Sequence, residues 1–103
     1  MQNKILVASV HPPFGELLRL SLEERGGYSV RLVSSCEYAK YEIGRNKYNL
    51  VLLDANEKDP SVKTALSGIA HDNPGLLLIV FPPGNNPQHP LLQGMAFNAW
   101  LKK

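Results

Sequence analysis

Four short apolar runs recur along the chain at fairly regular intervals: ILVASV (5–10), YSVRLVS (28–34), NLVLLDA (49–55) and LLLIVFP (76–82). Each has the length and composition of a β-strand. The first, third and fourth are nearly continuous in apolar residues, as expected of parallel strands covered on both faces, whereas YSVRLVS alternates and belongs nearer an edge.

The segments between them carry helical period. In PPFGELLRLSLEERGG, Phe14, Leu17, Leu18 and Leu22 share a face, Pro13 suits the first turn, and Gly26-Gly27 supply a stop. In SSCEYAKYEIGRNK, Ser34 and Glu37 have capping-box spacing, with Cys36, Ala39 and Ile43 aligned behind them. In DPSVKTALSGIAHDNPG, Asp59 can cap and Pro60 can take the first helical position. Val62, Ala65, Leu66 and Ile69 then form the buried stripe, and Asn73-Pro74-Gly75 ends it. Strands alternating with helices predict an α/β fold with a parallel sheet and right-handed crossovers. After Pro82 the pattern loosens: PPGNNPQHPLLQGMAFNAWLKK opens as a Pro- and Asn-rich loop, allows at most a short helix around Leu91 to Ala96, and ends in AWLKK, a candidate fifth strand.

With 103 residues, 44% of them hydrophobic, the chain suits one packed domain, residues 1–103. Eleven Lys and Arg are interleaved with nine acids, so the net charge of +2 lacks the clustering of a nucleic-acid footprint. Cys36 is the only cysteine, which excludes an intrachain disulfide and a thiolate metal cluster and suits a cytoplasmic setting. With no His, Lys or Arg directly beside it to lower its pKa, Cys36 reads as a small buried hydrophobe. The sequence has no signal-type cleavage site and no run of membrane-spanning length, so no membrane association is expected. No glycine-rich phosphate loop follows any strand, so nucleotide binding has no support.

A strand ending in a carboxylate, third in a β-α alternation, resembles the receiver domain of bacterial two-component response regulators. KILVAS resembles that family's first strand, LEERGGYSVRLVSS its first helix leading into the second strand, and NLVLLDA its third strand with the phosphoacceptor aspartate. LLLIVFP then resembles the fourth strand, and NAWLKK the fifth strand with its lysine. The resemblance implies a flavodoxin-like (CheY-like) open parallel five-stranded sheet of order 2-1-3-4-5 with helices on both faces. It implies a phosphoryl-transfer crevice at the strand C-termini, the place where open α/β sheets bind ligands.

In that family two acids after the first strand help hold Mg²⁺, a Ser or Thr ending the fourth strand bonds the phosphoryl oxygen, and a fifth-strand Lys pairs with it. Mg²⁺ demands hard oxygen ligands in a near-octahedral shell, and the transferring group needs its charge neutralised. Carried over, Asp54 falls at the phosphoacceptor position and Lys103, or Lys102 if the register slips by one, at the lysine position. Ser9-Val10, followed by His11, stands where the acid pair would be, and Phe81 where the hydroxyl would be. Those four residues are expected to line the crevice. With one carboxylate in place of three, a Mg²⁺ ion would bind weakly.

The resemblance thus implies a signalling module, not an enzyme, acting through protein–protein contacts with a degenerate phosphorylation site and no resident cofactor. Its partners would be a histidine kinase or an output domain. One alternative is an active, Mg²⁺-dependent phosphoacceptor modified on Asp54; a weaker one is an unrelated small α/β domain binding a ligand in the crevice. A structural role for Asp54, accepting backbone N–H bonds in the following turn, is the plain alternative to both.

His11 reads as a partly exposed loop residue, His71 and His89 as solvated, and Tyr38, Tyr41 and Tyr48 as part-buried packing around the second helix. The family has one further helix after the fifth strand, packed beside the first helix. The chain is therefore expected to be an N-terminal fragment of a longer protein, and to self-associate through the face that helix would cover, near Trp100-Leu101.

Overall fold

The computed structural model describes residues 3–103. The elements run β1 (Lys4–Ala8), α1 (Pro12–Gly26), β2 (Ser29–Val33), α2 (Cys36–Arg45), β3 (Leu50–Asp54), α3 (Val62–Asp72), β4 (Leu77–Phe81) and β5 (Ala99–Trp100). All strand pairs are parallel, and the sheet order is β2-β1-β3-β4-β5. The predicted architecture and strand order are thus observed, with the alternating strand β2 at one edge.

The sheet has two unequal faces. Alternate residues of each strand point to opposite sides, so Leu6, Ala8, Val51, Leu53, Leu78 and Val80 pack beneath α2 and α3, against Cys36, Ala39, Val62, Ala65, Leu66 and Ile69. Ile5, Val7, Leu52 and Phe81 face the other way, against Phe14, Leu18 and Leu22 of α1. On that second side α1 lies over β1 and β2. Leu17, expected to share the face of Phe14, Leu18 and Leu22, is 62% exposed, with nothing among the described residues covering it.

Three local expectations are corrected. The N-cap of α2 is Ser35, whose hydroxyl accepts the Tyr38 amide, so the capping spacing begins one residue later than Ser34. Helix α3 starts at Val62 with Ser61 at its N-cap, and Pro60 precedes the helix. Between β4 and β5 the short helix expected around Leu91 to Ala96 is a single 3-10 turn, Pro90–Leu92. Pro90 begins that turn, and Gly94 in the left-handed region (φ 76) turns the chain away. Another such turn spans Pro83–Asn85. Only Ala99 and Trp100 pair in β5, although the Leu101 amide still donates to the Val80 carbonyl.

Candidate functional site

Strand register brings four side chains to the C-terminal end of the sheet on the α1 side. Asp54 shares the side of Leu50 and Leu52, Phe81 that of Ile79, and Ser9 follows Ile5 and Val7. Leu101 lies opposite Phe81 in the extension of β5, so by alternation Lys103 returns to this side and Lys102 turns to the other. That parity decides between the two lysines: Lys103 meets Asp54.

Asp54 is almost inaccessible, at 2% exposure. Its Oδ2 accepts the Ser9 hydroxyl at 2.8 Å, and the Lys103 ammonium stands 2.8 Å from Oδ1. The ammonium is off the axis of an aligned hydrogen bond, leaving Oδ1 without an aligned donor among the described residues. The contact is an ion pair, and the buried carboxylate requires it, since an unpaired charge at this depth is costly. Ser9 is itself fixed, accepting the His11 amide at 3.0 Å.

Aromatic rings back the lysine. Lys103 Nζ lies 4.8 Å from the Phe14 ring centroid, and Phe14 meets Phe81 edge-to-face at 5.1 Å. A cation over a ring face gains electrostatically from the ring quadrupole, so Phe14 and Asp54 together hold the ammonium. The Lys103 amide donates to Asn85 Oδ1 at 2.9 Å, tying the end of β5 to the turn after β4.

An open cavity above this cluster is lined by Asp54, Asn56, Lys58, Pro83, Asn85 and Lys103, among others. Ser9 and Phe81, expected to line the crevice, are buried beneath it, each at 4% exposure. Val10 is half-buried in the turn after β1. His11 is the N-cap residue of α1, and its Nε2 faces Asn56 Nδ2 at 2.6 Å. Because Asn56 Oδ1 accepts the Lys58 amide, Asn56 donates to His11 through its NH₂ group. Asn56, Asn85 and Phe14 escaped the reading of the sequence: two lay in turn-rich stretches, and Phe14 looked like plain core.

Mg²⁺ needs several hard oxygen ligands and usually one or two carboxylates. Here the Asp54 carboxylate faces the cavity with a hydroxyl on one oxygen and an ammonium beside the other. Among the described residues no three His, Cys, Asp or Glu side chains converge as metal ligands. Glu57, at the cavity rim, bonds His89 Nε2 at 2.9 Å. His89 is therefore held, not solvated as expected. A Mg²⁺ ion here would have to displace Lys103 or His89 from a carboxylate and complete its shell with water or backbone oxygens.

No family model matches the chain, and no curated protein matches it. Solved structures do. The chemotaxis protein CheY4 of Vibrio cholerae superposes at TM-score 0.84 with 13% identity, over 100% of this chain and 88% of that one. The Thermotoga maritima response regulator TrrA, solved with Mg²⁺-BeF, gives TM-score 0.83 at 22% identity, over 99% and 87%. The receiver domain of a Pseudomonas aeruginosa sensor histidine kinase, solved with magnesium in its active-site cleft, gives 0.78 at 21%, over 100% and 86%. The chain has the receiver-domain fold. In the receiver fold the strand ends that carry Asp54 and Lys103 are the place where a ligand would bind, as in open α/β sheets generally.

Proposed function

We propose that this chain is a receiver module of a bacterial two-component or phosphorelay system, working in the cytoplasm through contacts with a histidine kinase or an output domain. It is not an enzyme, and its phosphorylation site is degenerate. The observation that supports this reading is the state of Asp54. Ser9 and Lys103 occupy its two oxygens, and among the described residues no three His, Cys, Asp or Glu side chains converge as metal ligands. The Phe81 ring, buried against Phe14, fills the end of β4. No described helix is long and apolar enough to cross a membrane.

One feature favours the active alternative, in which Asp54 accepts a phosphoryl group: a buried aspartate with a lysine ammonium in reach, both lining an open cavity. Amide spectra recorded with and without Mg²⁺ and beryllofluoride separate the two. The degenerate reading expects no change around Asp54; a saturable response abolished by Asp54→Ala establishes the active one.

Self-association belongs to the same proposal. Leu17, Leu77 and Leu101 are exposed, and strand register puts Leu77 and Leu101 on the α1 side of the sheet. Trp100 is paired with Val80 and projects to the other side, so the patch is smaller than the sequence suggested. Light scattering across concentration tests it, and a monomer throughout overturns it.

A further inference from the structure

The flank formed by β2 and α2 is built differently from the crevice and lies away from it. Because β2 is an edge strand, half of its backbone groups have no strand to pair with among the described residues. Ser29 donates to the Asn3 carbonyl and the Val33 carbonyl accepts from Ser9, so the odd-numbered residues bond β1. The N–H and C=O groups of Val30 and Leu32 therefore face outward.

Beside that open edge runs a charged, aromatic stripe. Tyr38, Tyr41 and Arg45 recur at three- and four-residue spacing along the outer face of α2. With Arg31 and Val33 of β2 they line one groove, and Tyr41 and Arg45 also border a second groove between α2 and α3. Tyr38 and Tyr41 are 59% and 65% exposed, where the sequence suggested part-buried packing. Arg31 and Arg45 line the groove beside β2 with the acid Glu42, and Lys40 and Arg45 line the α2–α3 groove with Glu37. Glu42 Oε1 is already taken by the Tyr48 hydroxyl at 2.6 Å and the Asn46 amide at 2.9 Å. Among the described residues neither Arg31 nor Arg45 makes an ion pair.

We propose that this flank is a docking site for an extended acidic segment of a partner protein, which adds as a strand to the β2 edge and sets carboxylates on Arg31 and Arg45. Each part of the surface answers one part of such a ligand. The outward groups of Val30 and Leu32 supply main-chain hydrogen bonds, as in strand addition. The guanidinium forks match carboxylates in two-point geometry. Tyr38 and Tyr41 offer flat, rigid area at low entropic cost, the quality that enriches tyrosine at interfaces. A single-stranded nucleic acid would also use cations and rings, but it has no use for an open strand edge, so the peptide is the better fit. The inference does not depend on whether Asp54 is phosphorylated.

The test is titration of the ¹⁵N-labelled chain with a blocked hexapeptide of alternating valine and glutamate, whose acids all fall on one face when extended. Expected are shifts and slowed exchange at the Val30 and Leu32 amides together with shifts along α2. Reversal of both exposed arginines, Arg31→Glu with Arg45→Glu, should weaken binding about tenfold while leaving the remaining amide spectrum in place. The valine–lysine counterpart should not bind. Absence of binding, shifts confined to α2, or tighter binding of a uridine octanucleotide to the same residues would each overturn the proposal.

Discussion

The carboxylate of Asp59, in the connection after β3, accepts the amide N–H of Cys36 at the start of α2, at 3.0 Å and across 23 positions of sequence. Its other oxygen accepts the Ser61 amide at 3.0 Å and the Ser61 hydroxyl at 2.6 Å. One buried side chain thus serves the ends of two neighbouring helices. It also anchors the loop that leaves Asp54, so the crevice floor and the α2–α3 layer share a fastening.

Replacing Asp59 should therefore cost more than an ordinary cap. Asp59→Ala is expected to destabilise the fold by about 2 kcal/mol, as for a cap that satisfies buried N–H groups, and Asp59→Asn by less, since its oxygen keeps some of the bonds. Burial works to raise the Asp59 pKa, but the bonds from Cys36 and Ser61 outweigh it and hold it below the usual carboxylate range. A depressed folded pKa contributes stability above the unfolded value and loses it as pH falls through the folded one. Urea titrations should thus show the wild-type advantage over Asp59→Asn intact at neutral pH and shrinking below about pH 4.

The ion pair of Lys103 with Asp54 invites a double-mutant cycle. Lys103→Met strands a buried carboxylate and should cost about 2 kcal/mol, less than the roughly 3–5 of a fully buried pair because Lys103 stays partly in water. Asp54→Asn added to it should recover part of that loss, and a purely additive pair would refute the coupling. Lys102→Met, on the opposite side of the sheet, should be within about 0.5 kcal/mol of wild type.

How far the sequence foretold all this depends on the range of the interaction involved. NLVLLDA and LLLIVFP announced buried parallel strands, because continuous apolar composition is a local property, and Asp54 at a strand end followed from it. The contest between Lys102 and Lys103 could not be decided from sequence, since it rests on which β5 residue pairs with Val80. Asp59 looked like a cap for the helix beside it; its bond to Cys36 joins segments that only the folded layer brings together. Leu17 fits the helical stripe by spacing, yet among the described residues nothing covers it, and spacing carries no record of neighbours.

Tyr48 offers an alkaline counterpart to Asp59. Burial, and then its hydrogen bond to the Glu42 carboxylate, push the phenol up to about 12. The same bond, first among its causes, holds Glu42 below its ordinary value. A raised folded pKa gives stability that is complete below the unfolded value, about 10, and lost as pH climbs through the folded one. The stability difference between wild type and Tyr48→Phe should accordingly be constant from pH 7 to 9 and fade between about 10 and 12. A difference that persists beyond that range would mean the hydroxyl contributes nothing through its proton.

Burial also pushes the Cys36 thiol far up, with the nearby Asp59 carboxylate adding to the effect. Thiolate is the reactive form, so an aromatic disulfide reagent should leave Cys36 untouched in the native protein. Labelling should proceed only at the rate of opening and accelerate with denaturant. Rapid labelling without denaturant would show that the start of α2 opens independently of the core.

The degenerate reading of the crevice makes a demand in the opposite direction, gain of binding. If weak magnesium affinity follows from having one acid, then supplying another, with space beside it, should raise the affinity. Val10→Asp places a carboxylate in the turn next to Ser9, and Phe81→Thr replaces the buried ring with a hydroxyl at the end of β4. Removing the ring breaks the edge-to-face contact with Phe14 and should cost about 3 kcal/mol, so the double variant is best made where stability allows. Calorimetric titration should then detect Mg²⁺ binding in the variant and none at millimolar ion in the wild type, with Asp54→Asn abolishing the gain. Equal, tight binding by the wild type would show that Asp54 and backbone oxygens suffice, and that Lys103 gives way to the ion.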